Sequence, residues 1–418
     1  MPDVLFFPPL PDRERLLDQL FRSVWHFLPA LPKLGKLIFP YSGADFPLLE
    51  ISQILSMATV YLDRDFDPAI ADYAPLYSGK IEIPETHDLH LSDVDIACFH
   101  DLKGVIVWNT NDAQVVAAAK HIAARTGAEL IWADPSTVQQ ETLVVVRFVY
   151  QFFQQSELEN LVNQSYETFQ NNIFRWKGRC ISAFGNGPSL ENVVKSKINL
   201  GPTVRAVCNS TISDSTALAQ LRPELLFCGD PVQHCGPSRY AGQFRQALAD
   251  AMSDPSRILF TQLGYVPYFS HVVSPEARGR IVGIGNDRRA DFNVDLETEF
   301  ITASTANIFT MLVLPVVLTL SKDVEVYGCD GMPFHAAIKP WSHANENDYM
   351  GKMAVTHRVH PGFWTRNYEE EFWSYCNDME EIIDQAEKNG ASVRSITPSY
   401  VPALAKRHVS AVSAESEN

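Results

Sequence analysis

The chain has 418 residues, with 34 lysines and arginines against 50 aspartates and glutamates, which gives a formal net charge of -16 at pH 7. This length exceeds the size at which a single hydrophobic core usually keeps growing, so we expect two domains. The acidic balance argues against nucleic acid as a partner, because neutralising phosphates needs a basic surface.

The cysteine pattern and the apolar runs indicate the compartment. Seven cysteines are scattered without a CxxC pair, which is typical of reduced, mostly buried thiols. The N-terminus lacks the basic start and long apolar run of a secretory signal. The longest apolar run, residues 308–320, is too short to span a bilayer and contains Pro315. The sequence therefore predicts a soluble cytoplasmic protein.

From Lys36 to Gln151, short β-rich runs alternate with helical ones. This alternation is typical of an α/β fold with a mostly parallel sheet. The strands are predicted at 37–39, 59–62, 96–99, 104–108, 128–132 and 143–150. The turn Tyr41 to Asp45 and the acidic residues Asp63 and Asp65 are similar to a class I methyltransferase cofactor site. Because the turn has only one glycine, a Rossmann-like accessory domain is favoured over a working cofactor site.

A second alternation follows a polar and aromatic helical segment. Its strands are predicted at 180–184, 204–208, 225–228, 258–260, 281–284 and 324–327, with a long helix at 304–320. We therefore predict two Rossmann-like domains with mostly parallel sheets flanked by helices: an accessory domain at 1–151, a linker helix at 152–178, a catalytic domain at 179–410 and a disordered tail at 411–418.

The most informative motif lies between the first two strands of the second domain. Gly185-Asn186-Gly187-Pro188-Ser189-Leu190 follows an apolar strand and opens a helix. Glycines let the backbone approach a ligand closely, and proline and serine suit the first turn of a helix. The free N–H groups at that helix end are expected to face a bound phosphate. A purely structural glycine turn remains an alternative.

Polar residues follow several other strands of this domain. Because ligands bind beyond the carboxyl ends of parallel strands, these residues are candidates for a lined pocket. They are Asn209, Ser210, Asp230, Thr261 and Asp330.

These residues resemble a known family. The glycine loop, then Cys208-Asn209, Asp230-Pro231, Thr302 to Thr305 and Tyr327 to Asp330, is similar in order and rough spacing to the bacterial sialyltransferases that build lipooligosaccharide. The related flagellin nonulosonate transferases and archaeal pterin pyrophosphokinase-like proteins share the pattern. The likeness covers about residues 179–398. It implies a glycosyltransferase that needs no cofactor or metal and uses a CMP-activated sugar, a nonulosonic or ulosonic acid, as donor.

The resemblance also implies roles for individual residues. The glycine loop, from Gly185 to Ser189, would hold the donor together with Asn209, and Ser304 at the start of the long helix would contact it. Asp230 stands where the family has an asparagine before proline. The other residues expected to contact the sugar donor are Ser210, Thr305 and Asp330.

In this family a histidine acts as general base on the acceptor hydroxyl, a task that suits a side chain with a pKa near working pH. His357 is our first candidate, before His360 and His343, because it precedes the final helix as the family histidine does. The family has two tyrosines soon after the strand-ending aspartate, and Tyr349 is the first candidate here. Each histidine could instead be an ordinary loop residue. A metal site built on His357 and His360, with His343 and Asp348 nearby, is the less favoured alternative.

The predicted partners are a nucleotide-sugar donor and a glycan, lipid-linked or protein acceptor. Peripheral association with the inner face of the membrane and formation of a homo-oligomer stay open. The runner-up function is a pterin-type pyrophosphokinase, which would hold ATP and magnesium through carboxylates such as Asp230 and Asp330. A third alternative is a non-catalytic nucleotide-binding module.

Overall fold

The protein folds into two compact units, each built around a parallel sheet. The computed structural model describes residues 1–43, 74–86, 99, 101–196, 200–287, 291–333, 354 and 356–409. Over these residues the fold is α/β, with sheets of five and eight strands flanked by helices. The predicted fold class is confirmed. The first unit comprises residues 1–155, 231–243 and 352–366, and the second unit comprises 156–230, 244–351 and 367–418.

The sheet of the first unit has the strand order β3-β2-β1-β4-β5. Its strands are β1 (Asp3–Phe7), β2 (Leu37–Ile38), β3 (Ile81–Glu82), β4 (Leu102–Val107) and β5 (Glu129–Trp132). The central strand β1 was not predicted, although Val4 to Phe7 are almost fully buried. The predicted strand at 59–62, the acidic pair Asp63 and Asp65, and most of the strand at 96–99 lie outside the described residues.

The described residues of this unit's N-terminal part include the helices α1 (Arg13–His26), α2 (Ala113–Thr126) and α3 (Glu141–Val149). Asp12 and Asp112 cap the first two by accepting hydrogen bonds from Arg15 N and Gln114 N. The strand predicted at 143–150 is wrong, because these residues form α3. A short, uninterrupted apolar run fits a buried helix as well as a buried strand, and here Val145, Val146, Phe148 and Val149 are all buried in a helix.

The sheet of the second unit has the order β11-β10-β9-β8-β7-β6-β12-β13, and its neighbouring strands are parallel. All six strands predicted for this domain are present. The strands are β6 (Ile181–Phe184), β7 (Val204–Cys208), β8 (Leu225–Phe227), β9 (Ile258–Gln262), β10 (Ile281–Asp287), β11 (Ile301–Ala303), β12 (Asp323–Tyr327) and β13 (Ser392–Ser395).

The strand order reverses beside β6. From β6 the chain moves outward in one direction as far as β11, and then returns to pair β12 with the other side of β6. Such a reversal is the place where open α/β sheets usually bind ligands, beyond the carboxyl ends of the two strands. The loops that follow β6 and β12 meet there.

The remaining helices flank the sheets. They are α4 (Gln155–Ile173), α5 (Ser189–Ser196), α6 (Ser215–Leu221), α7 (Pro231–Cys235), α8 (Arg239–Met252), α9 (Val266–Val272), α10 (Pro275–Arg278), α11 (Leu314–Leu320), α12 (Tyr368–Lys388) and α13 (Pro402–Ala405). The segment predicted as a linker helix is α4, and its Phe169 and Ile173 lie in the core of the second unit. The first unit also includes two later segments, so it is not the single contiguous stretch that the sequence predicted. No helix in the described ranges is long and apolar enough to cross a membrane.

The long helix predicted at 304–320 begins later than expected. Asn307 Oδ1 accepts a hydrogen bond from Phe309 N at 2.8 Å and caps the helix. The first turns, Phe309–Val313, are π-helical and lead into α11, which has Pro315 in its first turn. Proline lacks the N–H that a continuous helix would use, which accounts for a change of helical geometry here.

Candidate functional site

The glycine loop after β6 packs directly against the loop after β12. Gly185 N donates to the carbonyl of Tyr327 at 2.8 Å, and Gly187 N donates to the carbonyl of Gly328 at 2.7 Å. A Cβ at Gly187 would lie 2.1 Å from Asp330 Oδ2, and one at Gly185 would lie 2.6 Å from the Cys329 sulfur. The glycines are therefore required for the close approach of the protein's own chain, whereas the sequence assigned that space to a ligand.

Asp330 occupies the N-terminus of α5. Its carboxylate accepts hydrogen bonds from Ser189 N at 3.1 Å and from Ser189 Oγ at 2.8 Å. Partial burial raises the pKa of Asp330, against the opposing effect of these two hydrogen bonds. A carboxylate at this position satisfies the free N–H group of the helix and repels a phosphate. The carboxylate of Asp330 thus occupies the helix end at which the sequence predicted a bound phosphate.

Asn186 and Asn209 follow the adjacent strands β6 and β7, as predicted. Asn186 Oδ1 accepts a hydrogen bond from Thr211 Oγ1 at 2.6 Å. Asn209 has a φ of 47°, in the left-handed region that favours glycine and costs other residues about 1 kcal/mol. Its Oδ1 atom is buried and has no hydrogen-bond partner among the described residues. A buried acceptor without a donor is costly, so this atom marks a place where a ligand group would bind favourably.

Two amide side chains link the carboxyl ends of the next three strands, β8 to β10, by hydrogen bonds. Asn286 Nδ2, on β10, donates to Gln262 Oε1, on β9, at 3.1 Å. Gln262 Nε2 then donates to the carbonyl of Gly229, after β8, at 2.8 Å. The sequence missed Gln262 and Asn286 because the predicted strands ended at 260 and 284, before both residues. Their position at the carboxyl ends of apolar runs was the available signal.

The other residues predicted to bind the sugar donor are spread along the carboxyl ends of the strands. Pro188 lies in the glycine loop, Ser210 lies in the turn after Asn209, and Asp230 follows β8. Ser304 is exposed and follows β11, the edge strand, with Thr305 beside it. β11 and β6 are separated by four other strands of the sheet, β7 to β10.

No protein-family model, curated protein or solved structure matches this chain. The resemblance stated above therefore rests on the quoted residues. What the chain can do has to be argued from the geometry of its own side chains.

His357 and His360 fall in the first unit, whereas the glycine-loop residues fall in the second. His357 is exposed on the helical turn at 356–359, and its ring meets the edge of Trp364 with 5.3 Å between centroids. His360 is fully buried. His343 and Tyr349 lie outside the described residues.

His360 belongs to a buried cluster of charged side chains that the sequence did not reveal. Its Nδ1 bonds to Glu141 Oε1, which also receives a hydrogen bond from Arg22 Nη1 at 3.1 Å. Arg22 Nε pairs with Asp18 at 3.0 Å, and His26 Nε2 lies 3.3 Å from Thr142 Oγ1. Glu141 lies 119 positions from Arg22 and 219 positions from His360 in the chain, so no local pattern could indicate these two contacts.

The electrostatics of this cluster favour an ionised glutamate. Burial would raise the pKa of Glu141, but His360 and then Arg22 and His26 outweigh that effect and lower the pKa to about 2. Glu141 Oε2 and His360 Nε2 are buried and have no partner among the described residues. A Cβ at Gly236 would lie 3.1 Å from His360 Nε2. A carboxylate on Nδ1 fixes the orientation of an imidazole, which is also how general-base histidines are held.

Metal ligation was the less favoured alternative. The described part of the chain contains no group of three or more His, Cys, Asp or Glu side chains placed to hold a metal ion. The Nδ1 atom of His360 is already bonded to Glu141. His343 and Asp348, the other residues considered for this site, lie outside the described ranges.

Proposed function

We propose that the second unit binds a nucleotide at the carboxyl edge of its sheet and that the protein is an inverting, metal-independent glycosyltransferase. The donor would be a CMP-activated nonulosonic or ulosonic acid. The observation that carries this proposal is the buried, unpartnered Oδ1 of Asn209. The exocyclic amino group of cytosine is a hydrogen-bond donor that would satisfy it.

The position of Asp330 limits where the phosphate of the donor can bind. Because this carboxylate caps α5, the phosphate of the donor is assigned away from that helix end. The nucleoside would lie along Asn186 and Asn209, and Asp230 would accept hydrogen bonds from the ribose hydroxyls.

The proposed reaction is a direct displacement. The acceptor hydroxyl oxygen forms a bond to the anomeric carbon while the bond from that carbon to the phosphate oxygen of CMP breaks. The acceptor proton passes to a histidine, with His357 first and His360 and His343 next, and CMP leaves as an anion. Replacing these histidines one at a time, with transfer rate as the measurement, tests the assignment.

The pyrophosphokinase is the second candidate, and one contact weighs against it. Both carboxylate oxygens of Asp330 accept hydrogen bonds from Ser189, one from its N–H and the other from its hydroxyl. Magnesium would have to displace these bonds to bind there. A transferase without a metal requirement leaves them intact. The non-catalytic nucleotide-binding module would bind CMP in the same way without transferring a sugar.

The first experiment is a calorimetric titration of the full chain with CMP, CDP, ATP and S-adenosylmethionine, each with and without magnesium. We expect CMP to bind without metal and Asn209→Gly to weaken it about tenfold, because glycine keeps the left-handed backbone and removes only the side-chain acceptor. Arg278→Gln is the control, since Arg278 is an exposed residue of the same unit that precedes β10, at the amino end of that strand. Magnesium-dependent binding of ATP with no response to CMP would refute the proposal in favour of the pyrophosphokinase.

A further inference from the structure

A pocket lined by arginines opens beside the amino ends of the strands in the second unit's sheet. Its volume is about 400 Å³, and its lining includes Arg175, Arg179, Arg222 and Arg257. These residues precede β6, β8 and β9, so the pocket lies at the amino ends of the strands. The candidate nucleotide site lies at the carboxyl ends. In a chain with a net charge of -16, four arginines around one pocket are a local exception to the overall charge.

Neutral groups hold two of these side chains in place. Arg175 donates to Asn172 Oδ1 at 3.2 Å and to the carbonyl of Ser256 at 3.3 Å. Arg179 donates to the carbonyls of Arg175 and Pro202, at 3.3 and 3.2 Å. A guanidinium has five N–H donors, so each side chain keeps donors for a ligand. Neutral acceptors fix the position of a guanidinium without cancelling its charge.

The two carboxylates in the lining, Glu224 and Asp254, offset only half of the positive charge of the four arginines. Asp254 pairs with Arg257 at 3.4 Å. Glu224 Oε2 accepts a hydrogen bond from the backbone N–H of Arg205. Among the described residues, no carboxylate lies within ion-pair distance of Arg175, Arg179 or Arg222. The pocket therefore carries a net positive charge on partly immobilised side chains.

We propose that this pocket is a binding site for a small anion that carries one or two phosphate groups. The planar fork of a guanidinium matches two phosphate oxygens at once, and several arginines around one cavity are suited to a diphosphate. The Trp176 ring in the lining is buried beneath Arg175, with the guanidinium carbon 5.1 Å from the ring centroid. The anion would therefore be bound by the charge of the arginines, without stacking on the Trp176 ring. The site is independent of the proposed transferase function.

Arg222 offers a clean test because its exposed side chain makes no hydrogen bond or ion pair with another described residue, and its left-handed backbone suits glycine. Calorimetry of the full chain with inorganic pyrophosphate, at about 50 mM salt, measures binding. We expect Arg222→Gly and Arg179→Gln each to weaken it about tenfold or more. The unfolding midpoint of Arg222→Gly should stay close to that of the wild type. Arg278→Gln, an exposed arginine of the same unit outside the pocket, should bind as the wild type does.

Raising the salt to about 300 mM should weaken pyrophosphate binding, because the pocket is open to solvent and its charges are screened. Two results would overturn the proposal. One is a wild-type protein that does not bind pyrophosphate at millimolar concentration. The other is binding that is unchanged in both Arg179→Gln and Arg222→Gly, which would place the anion elsewhere.

Discussion

Replacing Glu141 with glutamine should strongly destabilise the first unit at neutral pH. The variant keeps the shape of the side chain but removes the charge that faces His360 and Arg22. Since the pKa of Glu141 is lowered from 4.5 to about 2, the ionised form contributes about 3 kcal/mol to the free energy of unfolding. This agrees with the ~3–5 kcal/mol typically lost when one member of a buried ion pair is removed.

The pH dependence distinguishes this cause from a packing defect. Because the folded pKa is depressed, the contribution is complete above about pH 4.5 and is lost as the pH falls towards 2. The difference between wild type and Glu141→Gln should therefore shrink to roughly half of its value at pH 7, or less, when the pH is lowered to 3.

Urea unfolding followed by tryptophan fluorescence, at pH 7 and pH 3, measures both free energies. Glu82→Gln is the matched control in the same unit, since Glu82 forms an exposed pair with Lys36 and should cost less than about 1 kcal/mol. A loss below about 1 kcal/mol for Glu141→Gln at pH 7, or a difference that does not shrink at pH 3, would refute the reasoning.

Three further predictions concern the second unit. Gly187→Ala should lower the free energy of unfolding by about 1–3 kcal/mol, because its Cβ would lie 2.1 Å from Asp330 Oδ2. Gly279→Ala, where nothing lies within 4 Å, should be close to neutral in the same urea titration. Asp330→Ala should cost about 1 kcal/mol by removing the cap of α5, whereas Asp330→Asn keeps an acceptor for Ser189 and should cost less; equal losses would contradict this account. Burial raises the pKa of the thiols of Cys208, Cys228 and Cys329. Labelling of the native protein with iodoacetamide at pH 8, mapped by peptide mass spectrometry, should therefore be slow at these three residues. Rapid labelling would contradict their burial.

Six of the eight described strands of the second unit were predictable because most of them are short apolar runs bounded by turn residues, whereas β11 and β13 were not predicted. Ile181–Phe184 and Leu225–Phe227 are fully buried, and Ser182 is their only polar residue. The same feature misled the prediction for α3, where a continuous apolar run lies in a helix that is buried on most of its surface. Length and periodicity could not separate these two cases.

The contacts of the glycine loop differ from those that the sequence predicted. Gly185 and Gly187 were expected to make room for a phosphate, yet their partners are Gly328 and Asp330, more than 140 positions downstream. Sequence patterns reveal local turns and not the loop that packs against them. The cluster of Glu141 and His360 and the arginine pocket were missed for the same reason, because their members come together only in the folded sheet.

The position of β6 in the middle of its sheet has a consequence for synthesis of the chain. Its partner on one side, β7, follows almost at once, but the residues that pair on the other side, on β12, lie 143 positions later. At typical elongation rates of about 5–20 residues per second, one edge of this buried strand would wait about seven to thirty seconds for its neighbour. Until then its N–H and C=O groups are open to pairing with another chain. We expect that fragments ending before β12 aggregate during expression, whereas the full chain does not.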